Sequence, residues 1–296
     1  MDHAYKREDL DFYSKGTRCA AWFYLPETAE KPPVIVMAHG LGGTRELRLN
    51  EYAERFAAAG YAVYLFDYRN YGASDGNRRQ LINVRMQLED WKNAIESIKK
   101  DDRIDAEKLL LFGTSFSGGH VVWLTAHRDD VKATVAQCPY TNTMATIKVV
   151  GLKYILRKAP FVIADLLTCV TGYHPVMLKL STWSGENAFM EADEVLTHRY
   201  IGDADFINAA PARTLLEFVK YSPGRFFGKI NTPIYVAACA KDMLAPAEKT
   251  IRLARKAKRL TYKKYDCGHF EIYLPPFFEE VIDEYINFYR RGGVNE

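Results

Sequence analysis

Three residues of the chain have the side-chain types needed for nucleophilic acyl transfer and fall just after candidate strands: Ser115, Asp242 and His269. A serine hydroxyl is a weak nucleophile at neutral pH and needs a base within hydrogen-bond reach. A carboxylate must orient that base and stabilise the imidazolium it becomes. Ser115 stands in Leu109-Leu110-Leu111-Phe112-Gly113-Thr114-Ser115-Phe116-Ser117-Gly118-Gly119. The four apolar residues read as a strand buried on both faces, and His120–Ala126 reads as an apolar helix. A serine at a sharp strand-to-helix bend has its hydroxyl exposed above the sheet. The bend also aims the N–H of Phe116 and the positive helix end at the same spot.

The pattern G-x-S-x-G does not settle the nucleophile. It fails at the bend, where Ser117 takes the second glycine position, and succeeds at Gly72-Ala73-Ser74-Asp75-Gly76. Ser74, however, lies in a polar turn several residues past a strand that ends near Asp67, with no helix before about Ile82. A serine in such a turn bonds its own backbone. The strand–turn–helix context selects Ser115, and serine is small enough for the second position.

Of the seven histidines, His3 lies in the terminus and His39 opens a glycine loop, where a structural hydrogen bond is the ordinary role. His120 and His127 ride the helix leading away from Ser115, and His174 and His198 fall within the long interval 140–228. His269 follows the last strand and suits the chain order nucleophile, acid, histidine. Asp242 follows the strand Ile234–Ala238, whereas the strand end after Val131–Gln137 reads Cys138-Pro139-Tyr140-Thr141-Asn142 and has no carboxylate. Asp266 is too near His269 in sequence to orient it without the loop folding back. Asp242 could also serve as a plain turn residue; its position favours the acid role. An oxyanion needs two preorganised N–H donors. Phe116 supplies one and Leu41, in His39-Gly40-Leu41, the second, its side chain then lining an acyl pocket.

Met37-Ala38-His39-Gly40-Leu41-Gly42-Gly43, the bend at Ser115, Asp242 and Gly268-His269-Phe270 together resemble the α/β-hydrolase superfamily, and most closely its esterase and dienelactone-hydrolase-like members. The resemblance runs from about residue 10 to 290 except for 140–228. It implies a hydrolytic serine enzyme and says little of its substrate. Asp67 and Tyr68-Arg69-Asn70-Tyr71-Gly72 resemble the superfamily's loop after the fourth strand and are expected to be structural. A serine at the bend argues against the haloalkane and epoxide hydrolases, where the resemblance implies aspartate.

The elements that must position these residues alternate. Leu10–Tyr13 and Arg18–Leu25, with Gly16 between them, read as an antiparallel edge hairpin. Strands are expected at Pro33–Ala38, Ala62–Phe66, Val131–Gln137, Ile234–Ala238 and Leu260–Tyr265, and helices at about 46–59, 82–100, 247–257 and 276–290. In the second helix Leu88, Trp91, Ile95 and Ile98 share one face. The expected fold is therefore α/β, a doubly wound and mostly parallel sheet. The alternation breaks between Cys138 and Pro233 for too long to be an ordinary loop. With Gly151–Lys158, Phe161–Val170 and the aromatic stretch 218–227, and no obvious strand, it reads as a mainly helical cap. The expected division is a core of 1–139 and 229–296 with a cap insertion at 140–228.

The chain has 296 residues, 48% of them hydrophobic, enough for a full core. Net charge is +3, so nothing argues for a nucleic-acid partner, and the basic run Arg252–Lys264 is a solvated face. Five scattered cysteines without metal-ligand spacing suit reduced thiols in a cytoplasm. The charged N-terminus lacks a signal-peptide core. Phe161–Val170 is too short to span a membrane and contains Asp165. No cofactor or metal site is expected, because the glycines at 40–43 lack the dinucleotide spacing. The expectation is a cofactor-independent, cytoplasmic serine hydrolase cleaving a small or medium ester through an acyl-enzyme. The same triad would also suit a thioesterase, amidase or carbon–carbon hydrolase. A non-catalytic binding protein on this fold is the reading from another class, disfavoured by an intact Ser, Asp and His. Oligomeric state is left open.

Overall fold

The structure, a computed structural model, describes residues 2–144, 151, 156–171, 174–182, 188–191 and 194–292. Continuous apolar runs become the middle of its sheet. Pro33–Ala38 (β5), Ala62–Phe66 (β6), Asp105–Thr114 (β7), Val131–Gln137 (β8) and Ile234–Cys239 (β12) are almost wholly buried where they pair. Strands covered on both faces need apolar residues at successive positions, so their sequences do not alternate. With Tyr5–Asp9 (β1), Ala21–Pro26 (β4) and Leu260–Tyr265 (β13) they form one sheet in the order β1-β4-β6-β5-β7-β8-β12-β13. All pairs from β6 to β13 are parallel, and β1 and β4 close the other edge antiparallel.

Two helix layers cover the faces. Leu49–Ala58 (α1) and Phe277–Gly292 (α8) pack Tyr52, Phe56, Tyr285 and Tyr289 under one face, with Ile35, Leu110 and Phe112. Val84–Ile98 (α2), Ser115–Thr125 (α3) and Ala247–Ala254 (α7) cover the other, where Trp91, Ile95 and Val121 meet Val36 and Leu111. Asn83 caps α2, its side chain accepting from the Met86 N–H. The strand order reverses at β5, which has β6 on one side and β7 on the other. Ligand crevices of doubly wound sheets open at the carboxyl ends of strands beside such a switch point. Gly40 and Ser115 follow those two ends.

The chain departs from its sequence reading in two places. The expected edge hairpin is split. Phe12–Ser14 (β2) and Thr17–Cys19 (β3) form a small ribbon around Lys15-Gly16, while β4 pairs instead with β1. β1 is charged and exposed along its length, so no apolar alternation betrays it; its backbone bonds to β4, with Arg7 lying over the Trp22 ring, place it at the edge. The interval between β8 and β12 also contains strands that were not expected. Met177–Thr182 (β9) pairs parallel with Ala188–Glu191 (β10) and antiparallel with Ala210–Pro211 (β11). β10 and β11, of four and two residues, are too short to leave a periodic signal, and β9 alternates in burial only over Met177–Leu180. Around them stand Ala159–Thr171 (α4), Glu194–Ile201 (α5) and Thr214–Lys220 (α6). Much of the apolar and basic segment Gly151–Lys158 lies outside the described residues. Among the described residues, no helix is long and apolar enough to cross a membrane.

Candidate active site

The bend at Ser115 is tight because its neighbours lack side-chain bulk. Ser115 itself has φ of 56°, in the left-handed region that costs a non-glycine residue energy. A Cβ on Gly113 would lie 2.4 Å from the Ser117 carbonyl oxygen, and one on Gly40 would lie 2.9 Å from Cβ of Ser115. The glycine loop and the first turn of α3 thus approach Ser115 at backbone distance. Ser117 occupies its position for a second reason. Its Oγ lies 2.8 Å from the buried Tyr68 hydroxyl, which accepts from Trp91 Nε1 at 2.7 Å. A glycine would leave that hydroxyl short of a partner.

Three segments far apart in sequence converge here. His269 Nε2 is 2.9 Å from Ser115 Oγ, and His269 Nδ1 is 2.6 Å from Asp242 Oδ2. With the Nδ1–H donating to the carboxylate, Nε2 is free to accept from the serine hydroxyl. Asp242 also fulfils its turn-residue reading, since its Oδ1 accepts from the N–H groups of Leu244 and Ala245, both at 2.7 Å. The two roles use different oxygens, and the turn holds the second oxygen toward the imidazole. Burial disfavours a charged His269, but the charge of the Asp242 carboxylate and its hydrogen bond more than offset this and raise its pKa well above the ordinary histidine value.

The other candidates are placed elsewhere. Asp266 is exposed and pairs with Lys241 at 3.2 Å. Ser74 is a buried turn residue, donating to the Asp67 carbonyl at 2.7 Å and accepting from the Ala20 N–H at 2.8 Å. His39 Nδ1 lies 2.9 Å from its neighbour's carbonyl, and His120 sits between Tyr221 and Gln87. Burial pushes their pKa values down to about 4 and about 3, so both stay neutral. Asp67 anchors the loops on either side of it, accepting from the N–H groups of Arg45 at 2.7 Å and Ala73 at 3.1 Å. Gly72 has φ of 47° and a Cβ there would overlap the Asp67 carboxylate, which accounts for its glycine.

Leu41 and Phe116 both lie beside Ser115. Leu41 lines a cavity of about 40 Å³ together with Ser115, His269 and Tyr273. Phe116 is the residue after Ser115, its ring packed on Tyr140, Phe218 and Tyr221. The far wall of the cavity comes from the interval 140–228, through Leu180 and Ser181 of β9, Tyr200 of α5 and Phe206. Sequence reasoning missed two features. Leu180 fills the space over Gly42, where a Cβ would lie 2.3 Å from Leu180 Cδ1. The thiol of Cys138, at the end of β8, lies with the Asp242 and His269 ligand atoms in a group no wider than 4.8 Å. The three come from separate strand ends, so no local spacing could show it.

A parallel sheet bearing a strained strand-to-helix serine, with acid and histidine on later strand ends, defines the α/β-hydrolase superfamily. Residues 29–273 match the family described as "Serine aminopeptidase, S33", and the chain belongs to this family of hydrolases. It is 38% identical over 287 residues to the "Quorum-quenching protein AidA" of Acinetobacter baumannii, covering 96% of this chain and 94% of that one. It is 25% identical over 287 residues to the "Thiohydrolase aneE" of Aspergillus aculeatus, covering 92% and 89%. Among solved structures, one described as "The structure of DcsB complex with its substrate analogue" has a TM-score of 0.85 at 23% identity, covering 98% of this chain and all of that one (100%).

Proposed function

We propose that this hydrolase cleaves small or medium carboxylic esters through an acyl-enzyme on Ser115. The observation that carries the reading is the continuous hydrogen-bonded chain from Ser115 Oγ through His269 to Asp242. Ser115 attacks the carbonyl carbon while His269 Nε2 takes its proton. Asp242 holds the ring and stabilises the imidazolium. The N–H groups of Leu41 and Phe116 hold the oxyanion. His269 then returns the proton to the departing alcohol. Water, activated by the same imidazole, releases the carboxylic acid and restores Ser115. Residues 1–139 and 229–296 form the catalytic core in this reading, and 140–228 the cap whose Leu180 and Phe206 face the acyl group.

A thioester substrate is the second reading, favoured by the similarity to a protein named a thiohydrolase. The "quorum-quenching" name of the 38% identical relative suggests a small signalling molecule as the natural substrate. A fluorophosphonate probe should label Ser115 in the wild type and nothing in Ser115→Ala. A panel of p-nitrophenyl esters of rising acyl length, run beside thioester and amide analogues, ranks the substrate classes. Labelling of Ser115→Ala equal to wild type would overturn the nucleophile assignment.

A further inference from the structure

Cys138 follows the last residue of β8, and Asp242 follows β12, the next strand of the sheet. Its φ is 34°, in the left-handed region, although it is not glycine and Pro139 favours extended backbone before it. Such strain persists only where the surroundings impose it, and here they do. Tyr140 N–H donates to the Ser115 carbonyl at 2.8 Å, and Gly118 has no Cβ to obstruct Pro139, 2.9 Å from where one would be. The segment is pinned to the nucleophile turn, and the pinning drives the thiol inward. Cys138 is only 1% exposed. Its Sγ is 3.8 Å from Oγ1 of Thr114, the residue before Ser115. It also lies within 4.8 Å of the ligand atoms of Asp242 and His269.

We infer that Cys138 is a positioning residue for His269: with Asp242 it fixes the imidazole facing Ser115. Sulfur is soft and polarisable, with lone pairs that an imidazolium attracts more than a neutral ring does. The groups facing the imidazole are Asp242 from the loop after β12, Cys138 from the end of β8 and Ser115 from the bend. Tyr200 and Tyr273 line the same cavity as Ser115 and His269. Asp242 carries the charge, and Cys138 limits the ring's rotation away from Nε2···Oγ alignment.

The experiment titrates His269 directly, by NMR on the full chain labelled at histidine, with its resonance identified by its absence in His269→Gln. Cys138→Ala should lower the His269 pKa by roughly half a unit to one unit, and Cys138→Ser, which retains a polar partner, should restore most of it. Cys138→Gly suits the left-handed backbone and removes the sulfur without strain, so it serves where the alanine variant fails to fold. On a short p-nitrophenyl ester, an arm that rests on the proposed function, Cys138→Ala should lower kcat about threefold to tenfold with KM unchanged. The acid limb of its kcat/KM profile should move to lower pH by the same interval as the NMR value. A His269 titration in Cys138→Ala or Cys138→Gly that overlays the wild type would overturn the inference. Absence of any esterase activity in the wild type would count against the proposed function alone, because the NMR titration still decides the role of Cys138.

Discussion

The carboxyl edge of the sheet and the interval 140–228 above it are built by different means. At the edge, Gly40, Ser115 and Asp242 follow strands buried at their carboxyl ends, His269 follows the more exposed β13, and the loops are held by backbone-scale contacts such as those of Gly40 and Gly113. In the interval, the described elements hold together through a small apolar cluster of Val162, Leu178 and Ala212 and through polar ties. Asp165 of α4, fully buried, accepts from the N–H groups of Val176 and Arg213 at 2.9 and 2.8 Å. Outside those ties, Ile163, Leu166, Leu167 and Val170 of α4 remain exposed. The edge can therefore hold atoms to the tolerance that bond-making demands. The exposed side chains of α4 can change at little cost to the fold. Under the proposed function, reaction chemistry belongs to the edge and substrate choice to the interval.

The largest expected effect strikes the edge. Ser115→Ala should reduce ester turnover on the order of 10⁴-fold or more, with His269→Ala equally severe and the double variant hardly worse, because such residues act as a unit. Ser74→Ala should instead cost stability, since it removes both hydrogen bonds of a buried hydroxyl, while leaving most of kcat. Steady-state kinetics beside thermal unfolding separates the two. A dead Ser74→Ala with an active Ser115→Ala would break the comparison.

Next comes the acid. Asp242→Asn keeps the turn but removes the charge that raises the His269 pKa. His269 must be neutral to accept the serine proton, so kcat/KM of the wild type should rise with pH through that raised pKa. In Asp242→Asn the limb should shift to lower pH, and kcat should fall by orders of magnitude while circular dichroism stays unchanged. Near-normal kcat would move the acid role elsewhere.

Much of this edge was legible because its constraints are local. Ala62–Phe66 and Pro33–Ala38 have the expected bounds, since a strand buried on both faces must be apolar throughout. Ser115 could be chosen over Ser74 without the full pattern, because bend context outweighs spelling. Ser117 could not be understood so: its partner Tyr68 lies 49 positions away. Cys138 was passed over for want of a carboxylate, although packing against His269 asks only for proximity. In the interval, β9 alternates only over Met177–Leu180, and its partners β10 and β11 are four and two residues long, too little for a period to be read.

Ser117 offers a smaller effect, confined to stability. Ser117→Gly removes one partner of Tyr68 and should cost roughly 1–3 kcal/mol for a buried group left under-bonded. Ser117→Val should cost at least as much, since it both loses that bond and crowds a fully buried position. Thermal or urea unfolding measures both. A Ser117→Gly variant as stable as wild type would mean that Tyr68 is satisfied by Trp91 alone.

The smallest change in rate, and the sharpest test of the division, lies at Leu180. Its side chain occupies the volume above Gly42 and lines the cavity containing Ser115 and His269, yet it belongs to β9 rather than to the sheet. Leu180→Ala removes apolar atoms from the cavity wall without touching any hydrogen bond of the serine–histidine–aspartate chain. Longer acyl groups should then gain room and contact, while short ones lose the surface they packed on. On a series of p-nitrophenyl esters, KM should fall for longer chains and rise for the shortest by about threefold to tenfold, as one or two methylenes of burial would give. The kcat for the shortest ester should stay within about twofold, the signature of lost uniform binding rather than lost transition-state contact. If kcat fell instead across the whole series with KM unchanged, Leu180 would be acting through Gly42 on the oxyanion loop. Chemistry and substrate choice would then share a residue, and the boundary between edge and interval would have to be drawn above β9 rather than below it.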